Sequence, residues 1–275
     1  MNRRPFLQTL ATGGTLLSAG CTDSLPFTTT RLDSNDVFEG YRFDETDLVV
    51  EFRDGVDIQR ATLYESGGGE YETIERPGTP VRFPVVFPER LETRLSLSLR
   101  IEVETSAGVA TMRVGALVHA YVTGVEPLPD GRARLEIENQ ADGPLLVRFV
   151  GIYGDVPNPT IDPLRDSFDR SSFDRGPGVV GVAANQRLSP SRTDLVVPSN
   201  TSKSFETTYT PFAFPEGTNA TNCDGTERTG RVAVVHGSGG SAAYDFRYRL
   251  EGEASDLGDD GLEAGVCTDS MSGSE

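Results

Sequence analysis

The chain has 275 residues, 42 of them acidic and 25 basic, and a net charge of −17. So acidic a surface lacks the basic footprint that a phosphate backbone requires, which argues against nucleic acid as a partner. Apolar residues make up 36% of the chain, with 30 Gly, 17 Pro and no Trp, enough for one large or two ordinary globular units with many turns.

Arg3 and Arg4 open the chain and are followed by Phe6 and Leu7, then by a weakly apolar run from Ala11 to Leu17. The run closes with Leu17, Ser18, Ala19, Gly20 and Cys21. Paired arginines, a short apolar stretch and a small-residue cleavage site are the marks of an export signal. The run falls short of the roughly 20 apolar residues that span a bilayer core, and no later run is long enough to do so. In this order the residues resemble the signal of a twin-arginine (Tat) lipoprotein, with Leu17 to Gly20 placed as its lipobox. The resemblance implies export of a folded protein, cleavage before Cys21 and lipid on the Cys21 sulfur. It places the protein outside the cytoplasm, lipid-anchored to the outer face of the cytoplasmic membrane, with membrane lipid as its partner through Cys21.

Loss of residues 1–21 removes two Arg and no acid and leaves a charge of −19. Lys203 is the only lysine. This acidic, lysine-poor balance resembles that of haloarchaeal proteins. At molar salt the Debye length is about 3 Å, so self-repulsion is screened.

Residues 22–35 are polar, Thr-rich and without period, and read as a tether. Beyond them the texture is that of strands. Leu48 to Phe52 precedes the Asp54-Gly55 turn signal, and Ile58 to Tyr64 follows it. Val81 to Phe87 is interrupted by Pro84 and is expected as an edge or bent strand. From Arg94 to Glu104, Leu95, Leu97, Leu99, Ile101 and Val103 alternate with polar residues, the period of a half-buried strand. Ser106 to Gly108 turns the chain into a partner strand expected over 109–122.

The pattern then repeats. Ala133, Leu135 and Ile137 alternate with charges, Asp142-Gly143 turns the chain, and Leu145 to Tyr153 follows. IQRATLYESG in the first half matches LVRFVGIYGD in the second, and SAGVATMRV is echoed by SGGSAAYDFRY. Further strands are expected over 194–197, 204–209, 231–235 and 242–250. The expectation is an all-β protein of two tandem antiparallel β-sandwiches, residues 36–122 and 123–253. They are similar to immunoglobulin-like domains of archaeal surface proteins, although the Cys-Trp-Cys core is absent. A Pro- and Asp-rich insert (154–178) carries a tandem SFDR, and loops of this length are usually functional or disordered. Residues 254–275, acidic and rich in Gly and Ser, are expected to be mobile except near Cys267.

Once Cys21 is committed to lipid, Cys223 and Cys267 remain as an even pair, either a disulfide, which export permits, or two free thiols. His119 and His236 are the only histidines. His119 reads as a packed or edge strand residue. His236 precedes Gly237-Ser238-Gly239-Gly240, which lacks the nucleophile elbow of an esterase and reads as a hairpin turn. Neither cysteine has a histidine near it, which argues against a blue-copper site. Asp155, Asp162 and Asp166 are weak calcium candidates in the insert, where a merely solvated acidic loop fits equally. Asn200 and Asn219 head glycosylation sequons in expected loops. No cofactor and no catalytic residue are assigned. The leading expectation is a non-enzymatic binding or envelope-structural module, partnered by an envelope protein or glycan, with Phe168 and Phe173 as candidate contact residues. Alternatives are an exported metal- or carboxylate-dependent hydrolase and an accessory subunit of a membrane complex.

Overall fold

The computed structural model describes residues 30–65, 67–90, 92–95, 99–115, 118–160, 162–164, 195–207, 209–215, 223–237, 240–256 and 264–273. They are almost entirely antiparallel β-structure. The first half contains β1 (Phe38–Asp44), β2 (Asp47–Phe52), β3 (Ile58–Tyr64), β4 (Glu70–Glu75), β5 (Val81–Pro84), β6 (Val86–Phe87), β7 (Glu92–Thr93), β8 (Leu99–Thr105) and β9 (Gly108–Val114). The second contains β10 (Ala120–Pro127), β11 (Ala133–Asn139), β12 (Leu145–Gly154), β13 (Val196–Val197), β14 (Thr201–Glu206), β15 (Phe214–Pro215), β16 (Arg228–His236), β17 (Ser241–Asp256) and β18 (Ala264–Gly273).

Alternation decides which side of each strand is buried. In β8, Leu99, Ile101 and Val103 are fully buried while Arg100, Glu102 and Glu104 face outward. β11 does the same with Ala133, Leu135 and Ile137. β12 is different. Nearly every side chain from Leu145 to Tyr153 is buried, on both faces of the strand, the mark of a central strand covered on each side.

The pairing order occurs twice. In the first half a three-stranded sheet, β1-β2-β5, accompanies the sheet β4-β3-β8-β9. In the second, β10-β11-β14 accompanies β13-β12-β16-β17, extended by β18 and β15. Each strand of the first order has a counterpart in the second, β3 with β12 and the β8–β9 hairpin with β16–β17. The two sequence echoes fall on these corresponding strands. The order is of the Greek-key type common in antiparallel β-sandwiches. Among the described residues, the ladder pairing of these strands stays within each set.

The chain bends at Pro84 as its ring requires: β5 is an edge strand on β2, and β6 leaves to pair with β7. Several boundaries differ from the sequence reading. In the long alternating segment Arg94 and Leu95 lie outside a strand, although Leu95 is buried, residues 96–98 lie outside the described residues, and β8 runs from Leu99. The partner strand expected over 109–122 is two strands: β9 ends at Val114 and β10 starts at Ala120, in a different sheet. His119 therefore precedes a strand instead of lying in one. β1 and β4 are additional; their side chains are largely exposed or half-buried, so no alternation marks them.

The tether ends earlier than Asn35. Arg31 bridges Val109 in parallel, the Leu32 N–H donates to the Val109 carbonyl at 2.8 Å, and Asp33 caps the one-turn helix α1 (Ser34–Val37). This segment covers part of the exposed edge of β9, which would otherwise invite intermolecular pairing.

The tail is corrected most. Residues 241–256 continue as one strand, and Ala264–Gly273 zips antiparallel onto it. Backbone ladder bonds need no apolar alternation, and Cys267, 4% exposed, is disulfide-bonded to Cys223.

Candidate functional site

The most elaborated part of the molecule is the end of the second half where β12 gives way to the insert. Gly154 ends β12 at φ +88°, a left-handed conformation that suits glycine. The stem that follows, Asp155 to Leu164, is pinned by bonds directed at backbone groups. Tyr248, fully buried on β17, donates its hydroxyl to the Asp155 carbonyl at 2.6 Å. The Asn158 N–H donates to the Pro211 carbonyl at 3.0 Å, and its side-chain amide to the Thr210 carbonyl at 3.1 Å. The N–H and hydroxyl of Thr160 both donate to the Ile152 carbonyl, at 2.8 and 3.0 Å.

Tyr209 completes the clamp. Its hydroxyl donates to the Ile152 carbonyl at 3.0 Å and accepts from the Ile152 N–H at 3.3 Å. Burial raises the Tyr209 hydroxyl far above its ordinary value and pushes that of Tyr248 up to about 12. Both therefore remain neutral donors across the working range. Burial, then the nearby Asp162 carboxylate, raises Tyr153 in the same direction. Leu164 of the stem is one of the two large apolar side chains left exposed among the described residues.

Beneath the stem, Phe212 packs edge-on against Phe246 at 6.3 Å between ring centres and lies 5.0 Å from Tyr248. The Cys223–Cys267 bond ties the segment entering β16 to β18 at this same end. Gly131, at φ +79° in the β10–β11 turn, lies so close to Ala213 that a Cβ there would stand 2.8 Å from the Ala213 methyl. Turn, stem, aromatic cluster and disulfide form one stiff platform.

The expected site residues are distributed unevenly over this picture. Arg3, Arg4, Phe6, Leu7, Leu17 to Gly20, Cys21, Asp166, Phe168, Phe173 and Asn219 lie outside the described residues. Asp155 and Asp162 belong to the stem, but Asp155 lends its carbonyl to Tyr248, and one Asp162 carboxylate oxygen accepts from the Leu164 N–H at 2.9 Å. Among the described residues no three His, Cys, Asp or Glu side chains gather as metal ligands would. Asn200 stands exposed at φ +54° in the turn entering β14.

The two histidines, 117 residues apart in sequence, come within electrostatic reach at the join between the halves. His119 is exposed and lies 4.4 Å from the Tyr121 ring. His236 is buried, its ring packed where a Cβ on Gly240 would stand 2.2 Å from Cε1. Burial first, and His119 second, lowers the His236 imidazole to about 4, so it stays neutral near pH 7. Neither imidazole belongs to a group of three potential metal ligands among the described residues.

The outer face of the first four-stranded sheet carries a different pattern. Arg60 of β3 bridges Glu75 of β4 at 2.7 Å and Glu104 of β8 at 3.1 Å. Arg100 lies 4.4 Å over the Tyr64 ring. Two open polar clefts of about 680 and 570 Å³ share Glu104 as a lining residue. Such exposed pairs contribute little stability and offer no desolvated acid or base for chemistry.

Sequence reasoning missed Tyr209, Tyr248 and Thr160, because a tyrosine in a strand reads as core and a lone threonine carries no pattern. No family model matches the chain, and no curated protein matches it significantly.

Proposed function

We propose that this protein is a lipid-anchored extracytoplasmic module that binds an envelope component or supports the envelope, without catalysing a reaction. The observation that carries the reading is the Cys223–Cys267 bond in a chain headed by Arg3, Arg4 and the Leu17 to Cys21 segment. Disulfides persist in oxidising compartments outside the cytosol, and the leader supplies the route there. The lysine-poor acidic surface fits a haloarchaeal host, and the repeated strand order fits two tandem immunoglobulin-like sandwiches. A surface module of this kind offers a partner a scaffold and loops, and the insert that carries Phe168 and Phe173, whose described stem is pinned to the sandwich, is our candidate for contact. Asn200, exposed in its turn, is accessible to carry glycan.

The reading is tested by fractionating the native host and measuring the intact mass. A membrane-bound, detergent-released polypeptide beginning at a lipidated Cys21 is expected. A cytosolic polypeptide retaining Met1 defeats it.

A further inference from the structure

We infer that the outer face of the sheet β4-β3-β8-β9 binds a sugar chain bearing carboxylate groups, laid across the strands. The inference rests on the envelope-binding role proposed above and adds a site and the chemistry of its ligand.

Register lays this face out in rows. In one row Glu75 of β4 pairs with Arg60 of β3, Arg60 with Glu104 of β8, and Glu104 with Val109 of β9. Val109 in turn bridges Arg31, in the segment that covers the edge of β9. Residues paired in this way present their side chains on one face of the sheet, and four strand spacings give the row a length of about 19 Å. The clefts of about 680 and 570 Å³ lie along it, the first toward Glu75 and the second toward Arg31, and meet at Glu104. Volumes of this order accommodate small ligands. Charged and amide side chains such as Gln59, Arg60, Glu102 and Glu104 dominate the walls. Such walls suit hydroxyl groups, each of which both donates and accepts.

Unpaired charges separate this face from an ordinary solvated one. Arg60 is satisfied twice, by Glu75 at 2.7 Å and by Glu104 at 3.1 Å. Arg31, Arg100 and Glu102 line the second cleft, yet none of them forms an ion pair with any described residue. Arg100 also stands directly opposite Arg113 of β9, an arrangement in which like charges repel. Arg113 is exposed and has no acidic partner among the described residues either. On its other side Arg100 pairs with Tyr64, whose ring holds the guanidinium at 4.4 Å without using its N–H groups. In a chain of net charge −17, two facing guanidiniums reverse the local sign. A carboxylate seated against them relieves the repulsion and takes the parallel N–H donors that a planar guanidinium offers. Glu102, two residues along β8 on the same face, and Thr111 opposite it supply partners for the hydroxyls beside that carboxylate. An acidic peptide would bring carboxylates to Glu102 and Glu104 with no hydroxyls to match, so the mixed face favours a sugar.

The test is calorimetric titration of the full chain in molar sodium chloride. The probes are alginate oligosaccharides, in which every sugar carries a carboxylate, neutral mannan oligosaccharides of the same length, and poly-glutamate. Alginate is expected to bind saturably, and the other two at least about tenfold more weakly, the scale of one lost charge-assisted hydrogen bond. Arg100→Gln and Arg113→Gln should each weaken alginate by a similar factor. Arg134→Gln, which removes an exposed arginine paired with Glu126 and Glu206 in the second half, should leave it unchanged. Unfolding midpoints check that each variant is folded, and the exposed Arg113 decides the matter if Arg100→Gln is not. Absence of alginate binding, equal binding of either other probe, or unchanged binding in folded Arg113→Gln overturns the site. Cross-linking in intact cells separates that failure from failure of the wider role. A protein that cross-links to an envelope component but ignores alginate loses only this site, and one that does neither loses both.

Discussion

Phe246 of β17 lies directly across the sheet from Gly230 of β16, and its ring covers the glycine so closely that a Cβ at position 230 would stand 2.3 Å from Cζ. The ring cannot simply swing aside, because Phe212 and Tyr248 hold it at 6.3 and 5.8 Å between ring centres. Gly230→Ala is therefore expected to destabilise the protein by about 1–3 kcal/mol, the range for overpacking a filled site. Adding Phe246→Leu should recover part of the loss, a coupling that denaturant unfolding of the two single variants and the double variant measures. Full stability in Gly230→Ala would show that the ring is not confined there.

How much of this was legible in the sequence depended on the length of the alternation. β8 and β11 alternate regularly enough to declare their period and buried side, and β3 and β12 stand out as short apolar runs. The two echoes of the first half in the second reached the correct strands because hairpin turns and core positions constrain residue type together. β1, β4 and β18 were hidden for the opposite reason: their pairing is carried by backbone groups, which any side chain permits. The platform was hidden too, since Tyr209 and Asn158 act on carbonyls far away in sequence and Thr160 reaches back to Ile152 with no pattern to mark it. Cys267 was the one residue in the tail to hint at an anchor.

The bridge from Cys267 to Cys223 closes a loop across 44 residues of sequence. In the chain-entropy model such a closure is worth about 4 kcal/mol. The Cys223→Ser/Cys267→Ser variant is expected to lose up to that amount in denaturant unfolding. The β18 amides should also lose most of their hydrogen-exchange protection relative to β12 and β16. Reductant should destabilise the wild type and leave the variant unchanged. A wild type indifferent to reductant would mean that the bridge does not contribute.

Charge sets a dependence on the medium. With 42 acids against 25 bases, repulsion among exposed carboxylates grows as screening falls, since the Debye length rises from about 3 Å at 1 M to 10 Å at 0.1 M. Local ion pairs such as Arg60 with Glu75 and Glu104 offset only part of it. The unfolding temperature is expected to fall continuously as sodium chloride is diluted from molar to 0.1 M. A level midpoint over that range would remove the argument for adaptation to brine.

Protonation of His236 gives a second dependence, opposite in kind to that of a paired histidine. In the folded protein, burial and the neighbouring His119 lower the imidazole to about 4, whereas in the unfolded chain it titrates at its ordinary 6.5. Between these values the unfolded chain takes up a proton that the folded protein refuses. Stability is therefore complete above pH 6.5 and declines as the pH falls toward 4, by up to about 3 kcal/mol. Two carboxyls act in the same direction at lower pH: Asp44, held down by hydrogen bonds from Arg82 and Arg42, and Asp224, held down by the Thr226 N–H. The test is therefore a difference between proteins, made at constant high salt. His236→Gln should be less sensitive than the wild type from pH 6.5 to 4, and the two curves should run parallel above 6.5. His119→Gln, which removes the second cause but not the burial, should narrow the sensitive window without abolishing it. Parallel curves for His236→Gln and wild type through the whole window would show that this imidazole is not held neutral by the fold.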